Sequence, residues 1–140
     1  MGRIGTAVAR KASYGFGMKV LGYRRNLPGD ICADYGILTS DLDKVIRNSD
    51  FLSIHLPYTK DTFHLVSREK LELMKPDAYL LNLGRGEVVD QAALRELLLS
   101  NRLAGAALDV FEGEIPDADD PLLHMDQVIA TPHIAGLSKQ

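Results

Sequence analysis

The chain has 140 residues, a length typical of one domain. Its 46% hydrophobic and 25% charged residues exclude a disordered or collagen-like chain. The net charge is −3, and no basic run or membrane-spanning apolar run stands out, so we expect neither a nucleic-acid nor a membrane partner. The single cysteine, Cys32, excludes an intramolecular disulfide and predicts a reducing compartment, most simply the cytoplasm.

Helical and strand patterns alternate along the chain. The first is a helix predicted over residues 3–14, with Ile4, Val8 and Ala12 on its apolar face and the glycines of GFG at its end. The other predicted elements are a strand at 18–23, a helix from a capping box at 40–43 to about 48, a strand at 51–56, a helix at 67–74, a strand at 79–82, a helix at 91–100 capped by Asp90, a strand at 104–109, an acidic loop at 112–127 and a strand at 128–130. Because single helices separate the strands, we predict one α/β domain over residues 1–140, with a doubly wound, Rossmann-like parallel sheet.

Residues that could bind a ligand or take part in catalysis follow the predicted strands. In strand order they are Arg24, Pro57, Gly84-Arg85-Gly86, Asp109 and His133. Parallel sheets bind ligands at the carboxyl ends of their strands. We therefore expect these residues to meet at one edge of the sheet.

The start of the chain, Gly2-Arg3-Ile4-Gly5, matches the end of the dinucleotide motif G-x-G-x-x-G without its first glycine. Gly2 would let the backbone approach a pyrophosphate, and Gly5 would let the helix pack closely on a strand. The helix N-terminus would offer amide donors to phosphate. An ordinary helix that begins at a glycine is the alternative interpretation, because no strand precedes the motif.

The dinucleotide motif expects an acidic residue about 20 positions later, where it binds the ribose 2′-hydroxyl. This sequence has Arg24 there instead, followed by Arg25. A guanidinium can bind a 2′-phosphate, which a carboxylate would repel. Arg24 therefore predicts NADP as the preferred cofactor and NAD as the alternative, and a solvated basic pair at a strand end is the competing interpretation.

Among the four histidines, His133 is the candidate for acid–base chemistry, because it follows a strand and a proline. We expect His64 and His124 at the surface and His55 as a hydrogen-bonded structural residue at a strand end. Arg85 lies between two glycines, which suits binding of a carboxylate. No pair of histidines or carboxylates has the spacing of metal ligands, so no metal site is predicted.

Three motifs, LLNLGRGEVVD, LAGAALDVFEGEIP and TPHIAG, resemble the D-isomer-specific 2-hydroxyacid dehydrogenases, and above all their glyoxylate/hydroxypyruvate reductases. The resemblance implies a cofactor domain for hydride transfer between NAD(P)H and a small 2-oxo or 2-hydroxy acid. It implies that Arg85 binds the substrate, that His133 is the catalytic acid–base and that Glu114 hydrogen-bonds this histidine. The implied cofactor-binding residues, with Asp109 near the nicotinamide, are Gly2, Arg3, Ile4, Gly5, Arg24, Leu56, Pro57, Leu83, Gly84, Arg85, Asp109, His133 and Gly136.

The resemblance also implies a homodimer, and a substrate domain and a first sheet strand that we expect to be missing from this chain. A catalytically silent relative is the alternative, one that binds dinucleotide to control protein association like the family's transcriptional corepressors. A different dinucleotide-fold enzyme would leave DVFEGE and TPHIAG unexplained.

Overall fold

The computed structural model describes residues 2–23 and 37–137. Its helices are α1 (Arg3–Arg10, continued by a π-helical turn at Lys11–Gly15), α2 (Leu42–Asn48), α3 (Arg68–Leu71) and α4 (Gln91–Leu99). Its strands are β1 (Val20–Gly22), β2 (Ile37–Thr39), β3 (Phe51–Ile54), β4 (Tyr79–Asn82), β5 (Gly105–Leu108) and β6 (Val128–Ala130). No helix within the described ranges is long and apolar enough to cross a membrane.

All strand pairs among the described residues are parallel, which confirms the predicted sheet type. β1 pairs with β2, and the other strands form a four-stranded sheet in the order β3-β4-β5-β6. The register places Ile54, Asn82, Leu108 and Ala130 in one row across this sheet. Each of them is the last residue of its strand, so the segments that follow the four strands begin side by side at the carboxyl edge.

The hydrophobic core joins the four-stranded sheet to the helices. Leu80 of β4, Ile46 of α2 and Leu98 of α4 have no exposed surface, and Leu71 of α3 is only 2% exposed. Burial of one such side chain contributes about 1.5–3 kcal/mol, so this core holds the sheet edge in a fixed position.

Aspartates cap two of the helices. Asp41 accepts a hydrogen bond from the backbone N of Lys44 at 2.8 Å and begins α2, one residue after the start of the predicted capping box. Asp90 accepts a hydrogen bond from the backbone N of Ala93 at 2.9 Å and begins α4, as predicted. Such caps contribute about 1 kcal/mol each.

The prediction for the buried face of α1 was wrong. Ile4 is 69% and Val8 40% exposed, whereas Gly5 and Ala9 are buried. Side chains as small as these let a helix backbone approach its neighbours closely, so α1 packs through its small residues and not through its larger apolar ones.

The sequence analysis also missed β2, which has three residues and is too short to show a periodic pattern. Pro57 and the later site residues therefore follow the third to the sixth strand, and not the second to the fifth. Several other predicted elements are shorter in the structure, notably the helix at 67–74, which is helical only over Arg68–Leu71. Arg24 and Arg25 lie outside the described residues.

Candidate active site

Arg85 lies in a tight turn after β4 that is held by Asn82. The side chain of Asn82 is 1% exposed. Its Oδ1 accepts a hydrogen bond from the backbone N of Gly84 at 3.1 Å, and its Nδ2 donates to the carbonyl O of Arg85 at 3.0 Å. The Arg85 side chain is exposed, with Nη1 donating to the carbonyl O of Gly84 at 2.8 Å. A fixed backbone thus presents the guanidinium to solvent.

Two glycines pack this turn between neighbouring segments. A Cβ on Gly84 would lie 2.8 Å from the carbonyl O of Leu56, and a Cβ on Gly86 would lie 2.0 Å from the carbonyl C and O of Phe111. Only glycine permits so close an approach. The turn is therefore in contact with the segment after β3 and with the segment after β5. Of the predicted cofactor-binding residues here, Leu56 is half-buried and Pro57 and Leu83 are exposed.

Asp109, the residue after β5, connects that strand to the segment after β6. Its carboxylate is buried, with the residue 4% exposed. Oδ1 accepts hydrogen bonds from Thr131 Oγ1 at 2.5 Å and from the backbone N of Ile134 at 2.8 Å, and Oδ2 accepts one from the backbone N of Ala135 at 2.9 Å. The three donors lie on both sides of His133, so one side chain holds the whole histidine-bearing segment.

The Asp109 carboxyl remains ionised despite its burial. Burial acts to raise its pKa, but the hydrogen bonds from Thr131, Ala135 and Ile134, together with the charge of His133, more than offset that effect and lower the pKa from the ordinary value of 3.8. A carboxylate that accepts several hydrogen bonds is favoured in its charged form. The segment after β6 is therefore bound to a permanent negative charge at neutral pH.

His133 and Glu114 both have left-handed backbone conformations. His133 has a φ of 54° and donates its backbone N–H to the carbonyl O of Thr131 at 3.0 Å. Glu114 has a φ of 67° and donates its backbone N–H to the carbonyl O of Phe111 at 3.2 Å. Such conformations cost about 1–3 kcal/mol in a non-glycine residue, and surrounding contacts must maintain them.

The structure brings some of the predicted catalytic residues together and leaves others apart. Arg85 and His133 both lie in segments that begin at the carboxyl edge, and His133 lies near Asp109. Both His133 and Glu114 are exposed, as is Gly136 at the end of the same segment. Across residues 2–23 and 37–137, no hydrogen bond or ion pair joins Glu114 to His133, or either of them to Arg85.

The N-terminus of α1 suits an anionic group. Gly2 is the N-cap, no side chain caps the helix, and its first turn contains no acidic residue. Gly5 is buried, while Arg3 and Ile4 are exposed. The first backbone N–H groups of a helix have no partner within the helix and carry a partial positive charge, so those of residues 3–5 are suited to a pyrophosphate. Arg24, the predicted 2′-phosphate ligand, lies outside the described residues.

His64, predicted at the surface, is only partly exposed. Its Nε2 lies 3.0 Å from Oε1 of Glu112, and both side chains are about two-thirds buried, with exposures of 30% and 35%. Forty-eight residues separate the two, so no local sequence pattern could reveal the pair. Asn82 was also missed, although a polar residue within the apolar run LLNL is a usable signal.

His55 and His124 are the remaining two of the four histidines. The Nε2 of His55 lies 2.8 Å from Ser53 Oγ, but its buried Nδ1 has no partner within the described ranges, so it is only half satisfied. Burial lowers the pKa of this histidine. His124 is exposed, as predicted, and its Nε2 lies 2.8 Å from the carbonyl O of Ala118.

A family model and a curated relative match this chain over nearly its whole length. Residues 1–135 match the family model for the NAD binding domain of D-isomer specific 2-hydroxyacid dehydrogenases. The chain is 46% identical over its full length to a glyoxylate/hydroxypyruvate reductase B from Pectobacterium carotovorum, of which it covers 44%. The chain thus spans less than half of that relative.

Solved structures give the same result. A D-isomer specific 2-hydroxyacid dehydrogenase from Lactobacillus delbrueckii, in an NAD-complexed form, superposes with a TM-score of 0.89 at 33% identity, over 98% of this chain and 44% of its own. An acyclic imino acid reductase in complex with NADPH and D-Arg superposes with a TM-score of 0.85 at 36% identity, over 98% of this chain and 42% of its own. None of these three relatives is described as a corepressor.

These matches confirm the resemblance inferred from the three sequence motifs and the Rossmann-like fold. The family match covers nearly the whole chain, and the parallel sheet carries the motif residues at its carboxyl edge. The chain belongs to the D-isomer specific 2-hydroxyacid dehydrogenase family, of which it forms the NAD binding domain.

Proposed function

We propose that the protein containing this domain reduces a small 2-oxo acid, of the glyoxylate or hydroxypyruvate type, with NAD(P)H. This proposal rests on the register of the sheet. The last residues of β4, β5 and β6 lie side by side, and Arg85, Asp109 and His133 lie in the segments that follow them. The reductase from Pectobacterium carotovorum, 46% identical to this chain, supports the substrate class by its name.

Reduction of a 2-oxo acid adds a hydride to C2 and a proton to the former carbonyl oxygen. The nicotinamide cofactor supplies the hydride. Negative charge develops on the oxygen as the hydride arrives, so a proton donor and a cation beside it lower the barrier. In the reverse direction the same donor takes the proton back.

Arg85 is the proposed ligand of the substrate. A guanidinium binds a carboxylate through two parallel hydrogen bonds, which fixes the orientation of the 2-oxo acid. Its exposed side chain on a turn held by Asn82 supports this role, because a ligand can reach it and the backbone is fixed. The same positive charge stabilises the developing oxyanion.

His133 is the proposed proton donor, and Glu114 its partner. A carboxylate beside one ring nitrogen orients the imidazole and raises its pKa toward neutrality. No hydrogen bond or ion pair joins Glu114 to His133 in the described part of the chain, and we propose that this contact forms when substrate binds, since catalytic hydrogen bonds often tighten only in the complex. Asp109 holds the His133 segment and has a second lone pair on Oδ2 that can accept a nicotinamide carboxamide N–H.

We propose that the uncapped N-terminus of α1 binds the pyrophosphate through Gly2, Arg3, Ile4 and Gly5, and that Arg24 selects NADP. The imino acid reductase in complex with NADPH and the dehydrogenase complexed with NAD show that relatives of this fold take either cofactor. The rest of the proposed adenosine side is Leu56 and Pro57, and Leu83, Gly84 and Gly136 complete the contacts. A homodimer and a cytoplasmic location belong to the same proposal.

The decisive experiment measures turnover of glyoxylate and hydroxypyruvate by the full-length protein and its variants. His133→Ala should lower kcat by roughly two to four decades, the range expected of a general acid. Arg85→Ala should raise KM and lower kcat together. His124→Ala, which removes an exposed histidine, is the control and should behave like wild type. Dinucleotide binding without any turnover would favour the corepressor alternative.

The cofactor proposal needs its own variant. One charge-assisted contact contributes about 1.5–3 kcal/mol, so the wild type should prefer NADPH over NADH by about tenfold or more in kcat/KM. Arg24→Asp should reverse this order, and added salt should shrink the preference. Equal use of both cofactors by the wild type at low salt would mean that Arg24 does not read the 2′-phosphate.

A further inference from the structure

His64 lies where three segments of the proposed site meet. It belongs to the segment after β3, its backbone contacts the segment after β4, and its side chain contacts the segment after β5. We propose that His64 and Glu112 are a positioning pair that holds the Glu114-bearing segment against the Arg85 turn. This inference rests on the proposed function, because it concerns the geometry of Glu114 and Arg85.

The backbone of His64 is bound next to the Arg85 turn. Its N–H donates to the carbonyl O of Glu87 at 2.8 Å, and the N–H of Val66 donates to the carbonyl O of Val88 at 3.0 Å. His64 has a φ of 46°, a left-handed conformation that these neighbouring contacts must maintain. The position of its ring is therefore set relative to the residues that directly follow Arg85.

The ring of His64 is fixed in orientation by two contacts. It stacks on Phe63, with ring centroids 4.0 Å apart and planes inclined by 14°. Its Nε2 faces Oε1 of Glu112 at 3.0 Å. Both partners are about two-thirds buried, so their interaction is less screened by solvent than that of an exposed ion pair.

Glu112 is held from its backbone as well. Its N–H donates to Oε1 of Gln91 at 2.8 Å, and Nε2 of Gln91 donates to Oδ2 of Asp120 at 3.2 Å. The backbone N of Glu112 would lie 2.4 Å from a Cβ on Gly86, which shows how closely this segment packs on the Arg85 turn. Side-chain and backbone contacts together therefore fix Glu112 at both ends.

The position of Glu112 determines the direction of Glu114. Only Gly113 separates them, and Gly113 and Glu114 have φ values of 81° and 67°. With both residues in the left-handed region, the direction of Glu114 depends on where Glu112 is anchored. Loss of the His64 contact would leave Arg85 in place and let Glu114 move away from its proposed partner, His133.

The test uses the full-length protein and the variants His64→Phe, His64→Gln, Glu112→Ala and the double variant His64→Phe/Glu112→Ala. Phe keeps the stacking on Phe63 but cannot donate a hydrogen bond, whereas the amide Nε2 of Gln can donate from nearly the same place as the histidine Nε2. His124→Phe is the matched control, because His124 is exposed and contacts a carbonyl O in place of a carboxylate. The measured quantities are the pH profile of kcat, which reports the enzyme–substrate complex, and the Kd of NADPH.

His64→Phe and Glu112→Ala should each lower kcat about fivefold, the effect of losing one part-buried hydrogen bond. In both, the apparent pKa seen in the kcat profile should be lower than in the wild type, because Glu114 would no longer reach the imidazole in the complex. The double variant should be no worse than either single variant, His64→Gln should retain most of the activity, and the Kd of NADPH should not change.

An unchanged apparent pKa in both His64→Phe and Glu112→Ala would overturn the proposal, as would additive losses in the double variant. Glu112→Ala decides the question if His64→Phe folds poorly, since Glu112 lies in a loop. A wrong proposed function would give a different result, because His133→Ala would then have the kcat of the wild type. If His133→Ala loses turnover while His64→Phe and Glu112→Ala keep wild-type turnover, only the positioning pair is rejected.

Discussion

Asp109→Asn tests whether one buried carboxylate holds the His133 segment. The substitution preserves shape and removes the charge. In its better orientation the amide keeps Oδ1 as acceptor for Thr131 and Ile134, but the NH₂ group then faces the N–H of Ala135, which loses its acceptor. The two remaining bonds change from charge-assisted to neutral.

The magnitude follows from these three bonds. A hydrogen bond to a charged group contributes about 1.5–3 kcal/mol, against about 1 kcal/mol for a neutral one. Losing the Ala135 bond and weakening the other two should lower the local opening free energy of the segment by at least about 2 kcal/mol. Since about 1.4 kcal/mol corresponds to a factor of ten, amide exchange there should accelerate roughly 30-fold or more.

The assay is hydrogen–deuterium exchange of the full-length protein, followed by mass spectrometry of a peptide that covers residues 128–137. Exchange should accelerate in this peptide and stay unchanged in α4, whose contacts do not involve Asp109. Turnover should fall about 10- to 100-fold, because a proton donor displaced by an ångström loses its alignment with the substrate. Asp126→Asn, which neutralises an exposed carboxylate just before β6, is the control.

Unchanged protection of residues 128–137 in Asp109→Asn would refute this reasoning. It would mean that the backbone contacts of the segment, such as that between His133 and Thr131, hold it without the carboxylate. Loss of turnover with unchanged protection would instead assign Asp109 to direct cofactor binding.

Three further predictions concern pH, packing and the isolated domain. The pKa of Asp109 is lowered in the folded state, so its stabilisation of the His133 segment should be complete above pH 3.8, its ordinary pKa, and be lost only as the pH falls through the lowered pKa. Amide exchange of this segment that accelerates already at about pH 5 would contradict this. Gly86→Ala should destabilise the protein by about 1–3 kcal/mol or more in urea unfolding, because its Cβ would lie 2.0 Å from backbone atoms, whereas Gly15→Ala, with open space around its Cβ, should be tolerated. Residues 1–140 alone should show no measurable turnover and should self-associate in light scattering, since β1 and β3 each pair on one side only within the described ranges; an active, cooperatively folding monomer would refute this.

Part of the fold could be predicted because its signals are local. The caps Asp41 and Asp90 act within three residues, and the strands at 79–82 and 128–130 have the predicted bounds. The class of the sheet followed from alternation of helices and strands, since a parallel pair needs a crossover between its strands. Family membership followed from motifs whose order and spacing are written in the chain.

Other features had no local signal. β2 has three residues, and the buried face of α1 carries Gly5 and Ala9, which have little apolar surface to mark it. The pattern of apolar residues therefore pointed to Ile4 and Val8, which the structure leaves exposed.

For the site, the sequence alone determined which residue types follow which strands, because chain order and strand length place Arg85, Asp109 and His133 just beyond them. Tertiary structure alone decided what these residues contact. Asp109 binds groups 22 to 26 residues away, and His64 binds a carboxylate 48 residues away. Hydrogen bonds depend on distance and direction in space, and only the register of β5 with β6 and the packing of Gly86 on Phe111 bring those atoms within reach.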